Sequence, residues 1–266
     1  MIGLSGPPGE PVVLPHALRR LVGSHRFTVE WRNEVGGLTV RVRARPTEHY
    51  VKWTPRGSGI DLRDEIERLA WAGPFVTVPT VLDWGADDEG SWFLSRALEG
   101  TNAVTPRWRG EPETAARAIG RGLRTLHSGL SESLCPFESG VNSRLEGVNR
   151  RAAAGDLART KLSGEFRGLD VADALLELND PPDEDVVVCH GDACAPNTLL
   201  DARGNVTGHV DLGRLGRGDR WSDLAIAAWS TRWNYGEGYE YFVYDGYGVD
   251  PDADKIRYFR LLWAIE

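Results

Sequence analysis

Cysteine is scarce in this 266-residue chain: three thiols, Cys135, Cys189 and Cys194. An odd and sparse set supports no disulfide framework and points to a reduced, cytoplasmic setting. Cys189 and Cys194 flank a His-Gly-Asp, but no second Cys/His pair completes a zinc set, so buried thiols are the better reading. No apolar run approaches the roughly 20 residues that a membrane span requires, so no membrane partner is expected. The opening, MIGLSGPPGEPVVLP, has neither a basic start nor a long apolar middle and does not read as a secretory signal. Basic charge is in deficit: 31 Lys and Arg against 39 Asp and Glu leave −8. That balance argues against a nucleic-acid partner and suits a cationic or metal-bridged ligand, although solubility alone also explains an acidic surface. Internal repeats and low-complexity segments are missing. What is there is 41% hydrophobic and 26% charged, enough to fold, in a chain long for one core and suited to two lobes.

The pattern of apolar residues changes near residues 96 to 100. Before that point, FTVEWRNE, LTVRVRA and HYVKW alternate as strands, with Gly36-Gly37 turning the first hairpin. DLRDEIERLAWAG follows with Leu62, Ile66, Leu69 and Ala70 at helical spacing, stopped by Gly73-Pro74. VTVPTVLDWG and SWFLSRAL read as two more strands. Residues 1–98 therefore predict a small, mostly antiparallel sheet with one helix. Residues 99–266 predict a larger, mainly helical lobe, an α+β whole. PETAARAIGRGLRTLHSGL gathers Ala116, Ile119, Leu123 and Leu126 on one face. Residues 141 to 180 are helical with breaks near Gly155 and Gly164. RWSDLAIAAWSTRW and DADKIRYFRLLWAIE supply the last helices, and a β-hairpin between them and residue 186 carries polar groups. Most of the ten tryptophans fall among apolar neighbours and read as core.

Those polar groups are the sequence's strongest chemical signal. VVVCHGDACAPNTLL ends an apolar strand on His190, Asp192 and Asn197, and GHVDLG ends another on Asp211. A hairpin with Asp and Asn at one end and a second Asp at the other can gather all three around one point. Two carboxylates and an amide oxygen suit Mg²⁺. A carboxylate kept off the metal can accept a hydroxyl proton. Together these are the requirements of phosphoryl transfer. Any one of the three, alone, is also an ordinary turn former.

HGDACAPN has the H-x-D-x-x-x-x-N spacing of protein-kinase catalytic loops, and VDLG stands where kinases carry D-F-G. With the run VTGHVDLGRLGRGDRWSDLA, the chain resembles the aminoglycoside phosphotransferases, in particular their 3'-phosphotransferase branch, over nearly its whole length. The resemblance implies a protein-kinase-like two-lobed fold, with a nucleotide-binding lobe over 1–98 and a catalytic and acceptor-binding lobe over 99–266. It implies ATP, with GTP as the alternative, and Mg²⁺ as the cofactors. It makes Asp192 the residue that orients or deprotonates the acceptor, Asn197 and Asp211 the metal ligands, and Lys52, on the third strand, the phosphate anchor steadied by Glu65, with Glu67 as competitor. His190 and Asp223 become braces of the loop, and His127 structural. Arg214 is a candidate for the γ-phosphate or the base, with plain surface charge as the other reading. Gly36, Gly37, Leu38 and Thr39 either cover the phosphates or form a plain hairpin turn. Arg96 to Leu98 become the hinge that hydrogen-bonds adenine.

An aminoglycoside is a polycation, so acids should line its pocket. Asp170, Asp173, Glu177, Glu237 and Glu240 are candidates, although a solvated face explains them equally. After YFRLL the 3'-phosphotransferases carry two consecutive acids that grip the drug; here Trp263 and Ala264 stand there, followed by Ile265 and Glu266. Glu266 and the terminal carboxylate are the partial replacements, unless the chain is shortened at this end. The reading is an ATP- and Mg²⁺-dependent small-molecule kinase that confers resistance by phosphorylating an aminoglycoside, at the 3'-OH of the kanamycin and neomycin type. Its rivals are a kinase of another hydroxylated antibiotic or metabolite, such as streptomycin, and a catalytically idle nucleotide-binding module. Oligomeric state is not legible.

Overall fold

A computed structural model describes residues 6–44, 47–157, 160, 162 and 164–266. The chain divides into two compact units, Met1–Leu98 and Glu99–Glu266.

In the first unit the period-2 alternation produces five antiparallel strands: β1 (Arg26–Arg32), β2 (Leu38–Arg43), β3 (Glu48–Pro55), β4 (Val81–Ala86) and β5 (Gly90–Arg96), in the order β1-β2-β3-β5-β4. Leu38, Val40, Val42, Val51, Trp53 and Trp92 bury one cluster together with Leu14, Ala17, Leu18 and Val22. The last three belong to α1 (His16–Val22), a second helix that the sequence reading did not anticipate. At seven residues, after a proline-rich lead, α1 offers too few turns for its period to stand out. The strand expected from VTVPTVLDWG begins at Val81, not at its first valine. α2 (Leu62–Ala72) forms where the helical spacing predicts. Asp61 caps it by accepting from Arg63 N–H at 2.9 Å, a contact worth about 1 kcal/mol. α2 buries Leu62, Glu65, Leu69 and Ala72.

The second unit opens with β6 (Thr101–Asn102) and the short α3 (Pro106–Arg109), then the long α4 (Pro112–Gly129). The helical stretch expected over 141 to 180 resolves into α5 (Val141–Ala153) and α6 (Val171–Leu178). β7 (Val186–Cys189), β8 (Thr198–Leu200), β9 (Val206–His209) and β10 (Gly216–Asp219) follow, then α7 (Arg220–Tyr235), α8 (Glu240–Tyr247) and α9 (Ala253–Ile265). β7 pairs with β10, while β8 lies between β6 and β9. α7 is buried without a break from Trp221 to Thr231, so it is the central helix of this unit, and α4, α8 and α9 pack around it. α8 was not foreseen: NYGEGYEYFVYDGYG is interrupted by glycines and shows no clear stripe. No helix among the described residues is long and apolar enough to cross a membrane.

α4 and α8 meet through backbone. A Cβ on Gly120 would stand 2.0 Å from Val243 O, and one on Gly246 would stand 2.2 Å from Arg117 O. Neither helix can take a methyl group there without moving its neighbour. Gly120→Ala or Gly246→Ala should therefore lower the free energy of unfolding by about 3 kcal/mol, read as a lower urea midpoint at unchanged slope.

Candidate active site

β7 is two-sided and apolar, with Val188 and Cys189 fully buried, so the chain emerging from it at His190 starts deep in the second unit. Gly191 follows at φ +81°, and a Cβ there would lie 2.2 Å from Arg214 O. Only glycine fits between the two segments. The loop is then held by one carboxylate. Asp223, wholly buried on α7, accepts from His190 N–H at 2.6 Å and Gly191 N–H at 2.9 Å. Its third donor is His127 Nε2–H, at 2.9 Å, and His127 Nδ1 meets the Tyr247 hydroxyl at 2.9 Å. Burial works to raise the Asp223 carboxyl, but the hydrogen bond and charge of His127 and the pull of His190 bring it below the usual carboxylate range.

His190 Nε2 faces Val210 O at 3.0 Å, an acceptor, so Nε2 carries the proton and Nδ1 is left to accept from Asp192 N–H at 3.3 Å. His190 is thus spent on the loop itself. Asn197 Nδ2 donates to Asp192 O at 2.9 Å, which turns the amide oxygen of Asn197 the other way. Val210 N–H donates to Asn197 O at 3.0 Å, tying the start of the DLG segment to the same loop. Asp211 has φ +65°, the one left-handed non-glycine among the described residues, a conformation that marks functional sites more often than it serves packing.

Asp192 is half-buried, and its Oδ1, shut off from solvent, has no hydrogen-bond partner. Burial raises its carboxyl, and the charge of Asp211 raises it further; His190, the Cys194 thiol and Arg214 pull it back only in part. The buried Oδ1 of Asp192, the neighbouring charge of Asp211 and the oriented amide oxygen of Asn197 form a donor set that fits a hard divalent cation such as Mg²⁺. The thiols of Cys189 and Cys194 are both pushed well up by burial.

In the first unit, Val51 and Trp53 face the α1 cluster, so Lys52 between them points to the opposite side of β3. There its Nζ meets Glu65 Oε2 at 2.6 Å. Glu65 is buried and Glu67 exposed. The Gly36-Gly37 segment is a closed turn: Gly36 N–H donates to Asn33 O, and Gly37 N–H to Asn33 Oδ1 at 2.6 Å. Leu38 and Thr39 lie in the ladder between β1 and β3. The amides assigned to phosphate cover at Gly36 and Gly37 are therefore already used by the hairpin. Arg96 N–H and Ala97 N–H are likewise taken, by Thr80 O and Glu48 O, and Leu98 closes the unit.

Four of the candidate acceptor acids are engaged by other groups, while Asp173 and Glu237 are exposed. Asp170 caps α6 through Ala172 N–H, with Asp173 exposed in the first turn. Glu177 pairs with Arg257, and Glu240 with Arg232 and Arg260. Glu266 forms a two-pronged pair with Arg144 at 2.8 and 2.9 Å and meets Arg214 at 3.4 Å. Arg214 also lies 5.5 Å from the Trp263 ring centre. Sequence reasoning missed Asp219, which caps α7, accepts from Asp185 N–H and pairs with Lys255. An Asp directly before an apolar helix was the available signal. It also missed Ser230, whose Oγ accepts from Ala195 N–H at 3.0 Å inside the Asp192–Asn197 loop; nothing local marks that contact.

The model of the phosphotransferase enzyme family matches residues 33–259. Across 92% of this chain and 94% of its own length, an aminoglycoside 3'-phosphotransferase from Niallia circulans is 32% identical. The chain belongs to the aminoglycoside phosphotransferase family. As a family member it is an ATP-dependent phosphotransferase with the protein-kinase-like fold. A streptomycin 3''-kinase from Streptomyces griseus is also 32% identical to this aminoglycoside phosphotransferase, over 82% of this chain and 84% of its own. Among solved structures, an aminoglycoside-3'-phosphotransferase of type VIII is 31% identical, with a TM-score of 0.81, covering 94% of this chain and 97% of the other.

Two outcomes follow from the loop's anchoring. Asp223→Asn keeps the shape but offers an amide N–H₂ where three donors converge, so stability should fall by about 3 kcal/mol and kcat more than KM; urea unfolding and steady-state kinetics read both. His209, wholly buried with its ring edge-on to His190 at 5.7 Å, is lowered to about 3, by burial first and then by His190. Its folded value lies below the unfolded one, so the unfolded chain binds the extra proton from about pH 6.5 downward, and stability is lost as pH falls through that window. The loss should be about 1.4 kcal/mol per pH unit in the middle of it. His209→Leu should remove that increment in urea titrations at pH 7, 6 and 5.

Proposed function

We propose that this phosphotransferase moves the γ-phosphate of ATP onto a hydroxyl of an aminoglycoside, the 3'-OH of a kanamycin- or neomycin-type acceptor. The observation that carries the reading is the Asp192 carboxylate, with Oδ1 buried and unpartnered, beside Asn197 and Asp211. Asp192 aligns the acceptor hydroxyl and takes its proton. The hydroxyl oxygen forms the new P–O bond, the bond from the γ-phosphorus to its bridging oxygen breaks, and ADP leaves with that electron pair. Burial and Asp211 raise the Asp192 carboxyl, which makes it a better proton acceptor than an exposed aspartate.

Asn197 and Asp211 would hold Mg²⁺, which supplies charge neutralisation to the phosphate oxygens when bound. Lys52, held by Glu65, is assigned to the nucleotide phosphates, and Leu98 to the edge of the adenine pocket. The resemblance to 3'-phosphotransferases at 32% and 31% identity supports the 3'-OH. A second reading, transfer to streptomycin, is supported by the equal identity of the streptomycin 3''-kinase and by the pairing of Glu177, Glu240 and Glu266 with arginines.

Incubation with Mg-ATP and a panel of kanamycin, neomycin and streptomycin, followed by mass spectrometry and ³¹P NMR of the product, decides the acceptor and the hydroxyl. Asp192→Asn should cut kcat by roughly 10³-fold while ADP affinity stays within about threefold of wild type. Turnover retained in that variant would refute the assignment. Lys52→Met should act the other way round, weakening nucleotide binding in a fluorescence titration.

A further inference from the structure

In the first unit, α2 does not pack flush on the sheet. A cavity of about 200 Å³ lies between its first two turns and the β4–β5 hairpin. Leu62 and Ile66, four apart and so on one helix face, line it from α2. The hairpin opposite offers little bulk: Gly85 has no side chain, and Ala86 and Ser91, cross-strand partners, are both small. Three small residues side by side leave a space that larger ones would fill. Trp84 and Trp92 supply aromatic walls. Trp92 is buried, and a Cβ on Gly85 would stand 2.8 Å from its ring, while Trp84 is 55% exposed.

Size and charge select the occupant of this cavity. An apolar cavity of about 150 Å³ in a protein interior binds benzene, so about 200 Å³ accommodates one ring or two fused ones. Indole walls favour an aromatic guest, stacked offset or edge-on. Asp61 and Arg63 also line the space, one of each sign, so the lining carries no net charge. The end of α2 has little to offer an anion: Asp61 Oδ1 already accepts from Arg63 N–H at 2.9 Å, and Asp61 O from Asp64 N–H at 3.3 Å. A neutral guest fits these walls better than an anion or a cation.

α2 also carries Glu65, directly before Ile66 and 2.6 Å from Lys52. Side chains that line a void have no contacts on that side, so the turn that holds Glu65 is an under-packed part of α2. Filling the void adds contacts to that turn. We propose that the cavity is a binding site for a small neutral aromatic molecule of one or two rings, whose presence steadies α2 and with it the Lys52–Glu65 pair. The effect on nucleotide rests on the reading of Lys52 as the phosphate anchor; the binding itself does not. A guest that favours the arrangement in which Lys52 is already held raises nucleotide affinity by reducing the ordering that nucleotide must impose. Nucleotide then raises guest affinity by the same factor.

Calorimetric titration of the full chain with indole tests the site, with indole-3-acetate and tryptamine as its anionic and cationic counterparts. Indole should bind with a Kd of about 0.1–1 mM, and the charged analogues about tenfold more weakly or not at all. Ile66→Trp fills the cavity from α2 and Ser91→Leu from β5; each should weaken indole binding more than about tenfold. Variants on opposite walls keep the result readable if one of them misfolds. Saturating indole should tighten ADP binding about threefold in wild type but not in Lys52→Met, which should still bind indole with the wild-type Kd. Wild type that does not bind indole, charged analogues that bind as tightly, or filled variants that both bind it unchanged would each overturn the proposal. So would an ADP affinity that indole leaves unchanged although Lys52→Met lowers it. If Lys52→Met itself leaves ADP affinity unchanged, the nucleotide reading of Lys52 falls, while indole binding that the filled variants abolish upholds the site.

Discussion

The second unit is organised around one buried carboxylate. Asp223 gathers two loop amides and an imidazole in a space that water does not reach. An ionised group there would be prohibitively costly without donors, and its three donors come from two distant parts of the chain, the loop after β7 and α4. Their convergence fixes where β7 ends, which way His190 points and hence where Asp192 begins. The brace is anionic for the same reason that it is useful: hydrogen bonds to a charged acceptor are roughly twice as strong as neutral ones. His127, Tyr247 and Asp223 form a relay that links α4, α8 and α7 to a segment with no regular structure of its own.

That brace allows the adjacent pair of acids to be arranged against their own preference. Asp211 raises the cost of charge on Asp192, and itself sits in a backbone conformation that side-chain-bearing residues avoid. A fold relaxes such a site unless its supports over-determine it. Here Val210 is the shared support: its N–H reaches Asn197, and its carbonyl receives His190. The electrostatic tension is the part that a divalent cation would relieve.

Much of this was legible because the informative contacts are close in sequence. His190, Asp192 and Asn197 share one loop, so their spacing carries their geometry. Lys52 and Glu65 could be singled out because the resemblance calls for a strand lysine and a helix glutamate, and the structure has them 2.6 Å apart. What escaped was long-range. α1 and α8 are too short or too glycine-broken for a periodic signal, and their existence depends on surfaces supplied by other elements. Glu177, Glu240 and Glu266 looked available for a cation because an arginine that reaches them from another helix leaves no local trace. Most of the tryptophans read as core, and Trp233, 55% exposed, is an exception, because composition and neighbours do not tell which side of a helix faces out. The glycine pair at 36–37 had two readings, and the side chain of Asn33, which reaches across the turn to the Gly37 amide, leaves no trace in the local pattern.

The close contact of α4 and α8 reaches further than packing. With no side chain between Gly120 and Val243, or between Gly246 and Arg117, the two helices behave as one rigid strut. Tyr247 and His127, one on each, are therefore held at constant separation, and with them the carboxylate that grips the loop. Amide hydrogens of His190 and Gly191 should then exchange with solvent as slowly as those in the middle of a helix, although they sit in a segment that a ribbon drawing would show as coil.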